Sequence, residues 1–441
     1  MKIHWVLFFL ICLNLNLKAQ VSKPILTSRW FHPRDNLDTL NTLAMIKTFK
    51  PARIDWTYCD DDKVLKKYRD LNIPYSLAIN PQTPDSAGFT TPKTRIITPS
   101  GVPYTASWMN WKMNNPYWGC VNNPLFKKIF FHNTVKLINL KPYAILVDDA
   151  LFNIQLQREK RDMVGCFCTY CVDNFYRNIS KTSTLNYLSR EDLLPKITKY
   201  IESDKKDTLS FATQHTVNLY KTKQNESVLK FLKEWKNKIL LYEPSIKTLA
   251  NNNSGNWEDI FKVFDGGIAE LQTKNLNIAF LDSVFNVSDK LGKTQNFTLV
   301  SSDEYAQNYL IAYLYAKGRD YFIPWDLFVP NSKSSANRYY TDTLKQRSFL
   351  DLLQSKETKI EFRATLDFFD NNNWYNIKKE NGYVKIILCE YPLKPRNRKL
   401  IFLFYAITAL AFSSLLYFIS KKIRVSNFKI RKYHQPHLSV E

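Results

Sequence analysis

Two kinds of residue in this chain are spaced for chemistry: closely set cysteines, and carboxylates at the ends of apolar runs. The stretch "GCFCTYCVDNF" (165–175) places Cys166, Cys168 and Cys171 within six positions. Cysteines this close seldom satisfy the Cα separation and torsion of a disulfide. A tight turn can instead present three thiolates to one tetrahedral zinc ion, at about 2.3 Å each. A fourth ligand is then needed, and Cys120 in "NPYWGCVNNP" lies just before the helix and strand that lead into the cluster. Four protein thiolates leave no open coordination position, so such a zinc site would be structural. A disulfide with two free thiols is the competing reading, favoured by an oxidising compartment. Cys59 reads as a buried strand residue, Cys389 has no assignment, and nothing calls for an organic cofactor.

The carboxylates stand in "YAILVDD" (143–149) and "GGIAEL" (266–271), which supply Asp148, Asp149 and Glu270. Cleavage of a glycosidic bond through an oxocarbenium-like transition state uses two such groups, one on each side of the bond. Strand alternation turns only one of Asp148 and Asp149 inward. Asp149, last and nearest the rim, is the expected nucleophile, with Glu270 protonating the leaving oxygen. Trp56, Trp118 and Trp325 are candidates to stack on sugar rings, and Asp55, Asn80, Asn252 and Asp326 to hydrogen-bond hydroxyls. Each has a structural alternative, since Asn and Asp cap turns and helices and tryptophans fill cores. Asp303 and Glu304, in "LVSSDE", read as the N-cap and first turn of a helix.

What must position these groups is a parallel sheet. Eight β-rich runs can be counted: 53–59, 74–80, a weak one at 117–120, 143–149, 246–252, 266–271, 297–302 and 321–327. Helical patterns separate several of them, which predicts an α/β fold, a (β/α)8 TIM barrel over residues 20–345. Its active site belongs at the carboxyl ends of the strands. Residues from about 150 to 245 are too many for a plain loop and predict a helical insertion beginning at the cysteines. Residues 346–398 read as a small appendage or linker.

The stretches "NPYWGCVNNPLFKKIFFHNTVKLI", "PYAILVDDALFN" and "GCFCTYCVDNF" resemble the zinc-cluster region of the family 42 β-galactosidases. They resemble still more closely a group of little-characterised bacterial glycoside-hydrolase-like barrels with Asp-Asp and "CFCxxC". The resemblance implies that Cys120, Cys166, Cys168 and Cys171 are the four zinc ligands and that the substrate is a carbohydrate. The chain departs from family 42 at the fourth strand, which ends in Asp-Asp instead of Asn-Glu, and at the seventh, which offers only the capping pair.

Export is expected from the ends of the chain. Lys2, the apolar "HWVLFFLICL" and "LKAQ" form a signal peptide over 1–19, with an uncleaved anchor as the alternative. "LIFLFYAITALAFSSLLYFIS" (400–420) is long enough to span a bilayer, giving a transmembrane helix over 399–420 and a basic cytoplasmic tail over 421–441. The net charge of +22 is concentrated partly there, with ten Lys or Arg after residue 393. The remaining basic residues are spread along helices, which argues against a nucleic-acid partner. The expectation is a glycoside hydrolase held on a bacterial cell envelope, outside the cytoplasm. The alternative is a glycan-binding barrel without turnover, accessory to polysaccharide handling. The sequence leaves the oligomeric state open.

Overall fold

The computed structural model describes residues 22–27, 45–81, 94–105, 117–159, 163–179, 189–301, 303–324, 343–364, 366, 374–392 and 414. Eight parallel strands follow one another around a barrel: β1 (Pro24–Thr27), β2 (Arg53–Thr57), β3 (Tyr75–Ile79), β4 (Ala144–Val147), β5 (Lys247–Asn251), β6 (Gly266–Leu271), β7 (Thr294–Leu299) and β8 (Tyr321–Pro324). Hydrogen-bonded neighbours run from β7 through β6 to β1 and on to β8, and β7 lies alongside β8 to bring the barrel near closure. The predicted (β/α)8 barrel is thus present, with one strand misassigned. The run at 117–120 makes only isolated antiparallel bridges, to Thr105 and Arg95. The strand it displaced is the four-residue β1, opened by a proline that suits a strand start.

Strand β4, "AILV", is apolar at every position because both its faces are covered. One face looks into the barrel, where Ile25, Ala78, Ala144, Leu146, Leu249, Ile268 and Phe322 pack around Trp56. The other face meets the helices: α1 (Asp62–Asp70), α2 (Pro124–Ile138), α3 (Gln155–Glu159), α4 (Thr169–Ile179), α5 (Arg190–Glu202), α6 (Phe211–Tyr242), α7 (Ile278–Lys290), α8 (Glu304–Ala316) and α9 (Thr343–Gln354). Short polar side chains start several of them by accepting orphan backbone N–H groups. Asn123 caps α2, with a proline in its first turn, Asn277 caps α7, and Asp303 caps α8 with Glu304 next, as expected.

The insertion after β4 is helical, as the sequence predicts. It runs through α3, α4 and α5 into α6, whose 32 residues pack across the insertion and return to β5. Beyond β8, α9 completes the helical layer, with Leu350 and Leu353 buried in the main core. The appendage holds a three-stranded sheet ordered β10 (Tyr375–Glu380), β11 (Tyr383–Cys389), β9 (Thr358–Arg363). It docks on α8, where the Tyr309 hydroxyl donates to the Cys389 carbonyl at 2.7 Å. The signal segment 1–19 lies outside the described residues, as does the apolar run 400–420 except Ser414. No helix among the described residues is long and apolar enough to cross a membrane.

Candidate functional site

The carboxyl ends of five consecutive strands, β2 to β6, carry a continuous chain of polar side chains. Ala144 and Leu146 point into the barrel, so alternation turns Asp148 inward and Asp149 away. The Asp148 carboxylate accepts from the Tyr58 hydroxyl at 2.6 Å, from Asn251 Nδ2 at 2.9 Å and from the Asp149 backbone N–H at 3.0 Å. The same Asn251 Nδ2 lies 3.4 Å from Glu270 Oε2. Asn80, at the end of β3, donates to the Tyr58 oxygen. Burial first, and then the adjoining Asp148 charge, pushes the Tyr58 hydroxyl well above the ordinary tyrosine range, so it stays a donor.

Tyr58 reaches this chain because of a bulge in β2. Ile54 pairs with Tyr75 and Thr57 with Leu77, so three steps on β2 match two on β3. Trp56 sits in the bulge with φ 63°, a left-handed conformation rare for a bulky residue, and its N–H donates to Ser76 Oγ at 3.0 Å. The extra residue flips the phase of the strand beyond it and brings Tyr58 to the inner face. Asp149 (φ 53°) and Phe152 (φ 45°) are also left-handed, so the turn after β4 carries strain beside the carboxylates.

The structure brings Asp148, Glu270 and Asn80 together and gives the other expected residues different places. Asp149 lies beside the mouth, but Asp148 is the carboxylate bridged to Glu270. Asp55 is completely buried lower in the barrel, accepting from Arg53 Nε at 2.9 Å and from the Tyr143 hydroxyl at 2.5 Å, so both its oxygens are committed to structure. Trp56 is 2% exposed and fills the barrel, too enclosed to offer a face to a sugar. Trp118 is completely buried against the cysteines. Asn252, turned to the outer face, pairs with Gln295 at 2.9 Å, so its neighbour Asn251 occupies the mouth. Trp325 and Asp326 lie outside the described residues. Sequence reasoning missed Tyr58 as a site residue; an aromatic directly after a run containing an extra residue was its only signal.

The four cysteines converge. The sulfurs of Cys120, Cys166, Cys168 and Cys171 lie within 4.8 Å of one another. Cys120 stands 3.4 Å from Cys171 and 3.6 Å from Cys168. These separations are far beyond the ~2.05 Å of a disulfide and close to the roughly 3.8 Å edge of a tetrahedron with 2.3 Å metal–sulfur bonds. Amide donors surround the sulfurs: Asn122 Nδ2 at 3.2 Å from Cys171, and Asn153 Nδ2 at 3.5 Å from Cys120 and 3.4 Å from Cys171. Such donors stabilise thiolates and orient ligands. Burial pushes the Cys166 and Cys171 thiols up, while hydrogen bonds from Cys120 and Cys166 pull Cys168 down. Four sulfurs gathered this closely form a donor set suited to a cation, and the cluster could hold a metal ion. Gly165 (φ 103°) opens the turn, and a Cβ there would stand 2.9 Å from Gln224 Cγ and 3.1 Å from the Asn153 carbonyl.

No family model matches the chain, and no curated protein matches it in sequence. Its fold is shared with solved glycoside hydrolases. A β-galactosidase from the psychrophilic Marinomonas ef1 superposes with a TM-score of 0.52 at 7% identity, over 77% of this chain and 63% of the other. The β-galactosidase of the Antarctic haloarchaeon Halorubrum lacusprofundi gives 0.51 at 11% identity, over 77% and 60%. The chain thus spans about three fifths of the length of these enzymes.

Proposed function

We propose that the protein is a retaining glycoside hydrolase with Asp148 as nucleophile and Glu270 as general acid/base. The observation that carries this reading is the single Asn251 Nδ2, 2.9 Å from Asp148 Oδ1 and 3.4 Å from Glu270 Oε2. The two oxygens can be no further apart than those bonds laid end to end. A separation within that limit accommodates the ~5–5.5 Å of retaining pairs.

In the first step Asp148 attacks the anomeric carbon, and the glycosidic oxygen leaves with the proton from Glu270. In the second, Glu270 takes a proton from water, whose oxygen attacks the same carbon and releases Asp148. Three donors converge on Asp148, an arrangement suited to a charged nucleophile, and Tyr58 and Asn251 hold it in place. Asp149 contributes its backbone N–H, and Asn80 orients Tyr58. The four cysteines bind structural zinc, which pins the insertion beside the mouth and takes no part in the chemistry. The signal-like start and the apolar run at 400–420 support an enzyme held on the cell envelope with its barrel outside the cytoplasm, acting on a glycan there.

The test is covalent trapping. A panel of 2-deoxy-2-fluoro aryl glycosides of different sugars is incubated with the full chain and the digest is read by mass spectrometry. One member is expected to label the peptide containing Asp148. The matching unfluorinated substrate should be cleaved with retention, and Glu270→Gln should lower its turnover by about 10²–10⁴-fold. Label on another carboxylate, or an inverted product, overturns the assignment. Sugar binding without turnover across the panel leaves the glycan-binding barrel instead.

A further inference from the structure

The end of the barrel opposite the mouth holds a second opening that the reaction does not use. The starts of β2, β4, β5 and β7 and the loops entering β6, β7 and β8 enclose a cavity of about 770 Å³, within the ~300–1,000 Å³ of small-molecule sites. Its two acids are already engaged. Asp265 accepts from Lys236 Nζ at 2.7 Å and from the Thr248 N–H and hydroxyl at 2.9 Å. Asp320 accepts from Arg53 at 2.9 Å and from the Lys23 N–H at 3.1 Å.

The cations are not all engaged. Lys317 and Arg319 pair with Asp282 and Asp289, but Lys247 and Lys293 have no carboxylate partner among the described residues. Burial, together with nearby Lys236, lowers the Lys293 ammonium from its ordinary value, with Asp265 only partly opposing it. A neighbouring anion would relieve that cation. Asn296 adds a separate observation. It is 8% exposed and lines the cavity, yet its side-chain amide makes no hydrogen bond among the described residues. Its polar atoms stay open to the cavity, so the amide can donate to a ligand there.

We infer that this amino-terminal end of the barrel binds a tetrahedral oxyanion, a phosphate or sulfate group held by the Lys247 and Lys293 ammoniums and the Asn296 amide. Lysine recognises such a group as a point charge, and Lys317 and Arg319 add to the positive field around it. The cavity lies across the barrel from Asp148, so the inference stands apart from the proposed glycosidase chemistry.

Thermal melting of the full chain in sodium phosphate, against sodium chloride at equal ionic strength and pH, tests it. Phosphate stabilises many proteins by exclusion from their surface; the double variant Lys247→Gln/Lys293→Gln controls for this. Wild type is expected to gain about 2–4 °C more than the variant at ten times the dissociation constant. Equal gains in both proteins overturn the site. If the variant does not fold, calorimetric titration of wild type decides: saturable heat with phosphate and none with chloride supports the site, and no saturable heat overturns it. A sugar phosphate titrated alongside separates the sources. Tighter binding than inorganic phosphate identifies a phosphorylated glycan, and equal binding identifies the free anion.

Discussion

Tyr58 retains its proton across the physiological range, since burial and the neighbouring Asp148 both oppose its ionisation. It therefore serves Asp148, the proposed nucleophile, as a donor. Tyr58→Phe removes one charge-assisted hydrogen bond of about 1.5–3 kcal/mol. Steady-state kinetics on a cleaved aryl glycoside should show kcat reduced by about 10–150-fold with KM little changed. Asn251 invites a sharper test. Asn251→Asp keeps the shape of the shared donor but inserts a third carboxylate between Asp148 and Glu270. Added negative charge raises the proton affinity of both neighbours. The acidic and alkaline limbs of the kcat/KM profile should both move to higher pH, and a profile that stays in place would show that Asn251 does not lie between the reacting groups.

At the scale of elements, the turn between β5 and β6 is tied to the long helix α6 through Lys236 and Asp265. Burial raises the Asp265 carboxyl, but Lys236 and the two donors of Thr248 outweigh it and hold the group below its usual range. Its folded-state pKa is depressed, so its contribution is complete above the unfolded value near 4 and is lost as pH falls through the folded one. Asp265→Asn should lower the melting temperature at pH 7 and have progressively less effect below about pH 4. The legibility of the fold follows the same elements. Strands β4, β5 and β6 declared themselves through apolar runs ending in polar groups, and with them came the cysteine cluster and Glu270. β1 did not, because "PILT" is only four residues long and follows a segment that reads as an export signal. The choice between Asp148 and Asp149 required the phase of β4, which is visible only once Ala144 and Leu146 are seen inside the barrel. The role of Tyr58 depended on a bulge that no alternation pattern reveals.

For the molecule as a whole, the cysteine knot and the carboxylates share one short segment. Asn153, which donates to two of the sulfurs, stands five positions after Asp148, with the strained Asp149 and Phe152 between them. Elemental analysis of the purified chain should give one zinc per molecule. Removing it with a chelator, or replacing Cys168 with Ser, should lower both the melting temperature and the turnover, because the segment that presents Asp148 loses its anchor. Loss of zinc with undiminished turnover would show that the knot and the mouth are independent.

The docking of the appendage also sets a direction. The Glu390 carbonyl accepts from the N–H of Ile278, the first residue of α7, and Trp374 Nε1 donates to Asp303 at the start of α8. Both helices begin where strands end, so the chain leaves the described structure on the side of the mouth. From residue 392 to the apolar run at 400, the backbone can reach no more than roughly 29 Å. If that run crosses a bilayer, the barrel stands on the membrane with its opening held low over the lipid surface. Short, surface-attached chains would then be within reach, whereas long soluble polymers would have to thread beneath the protein.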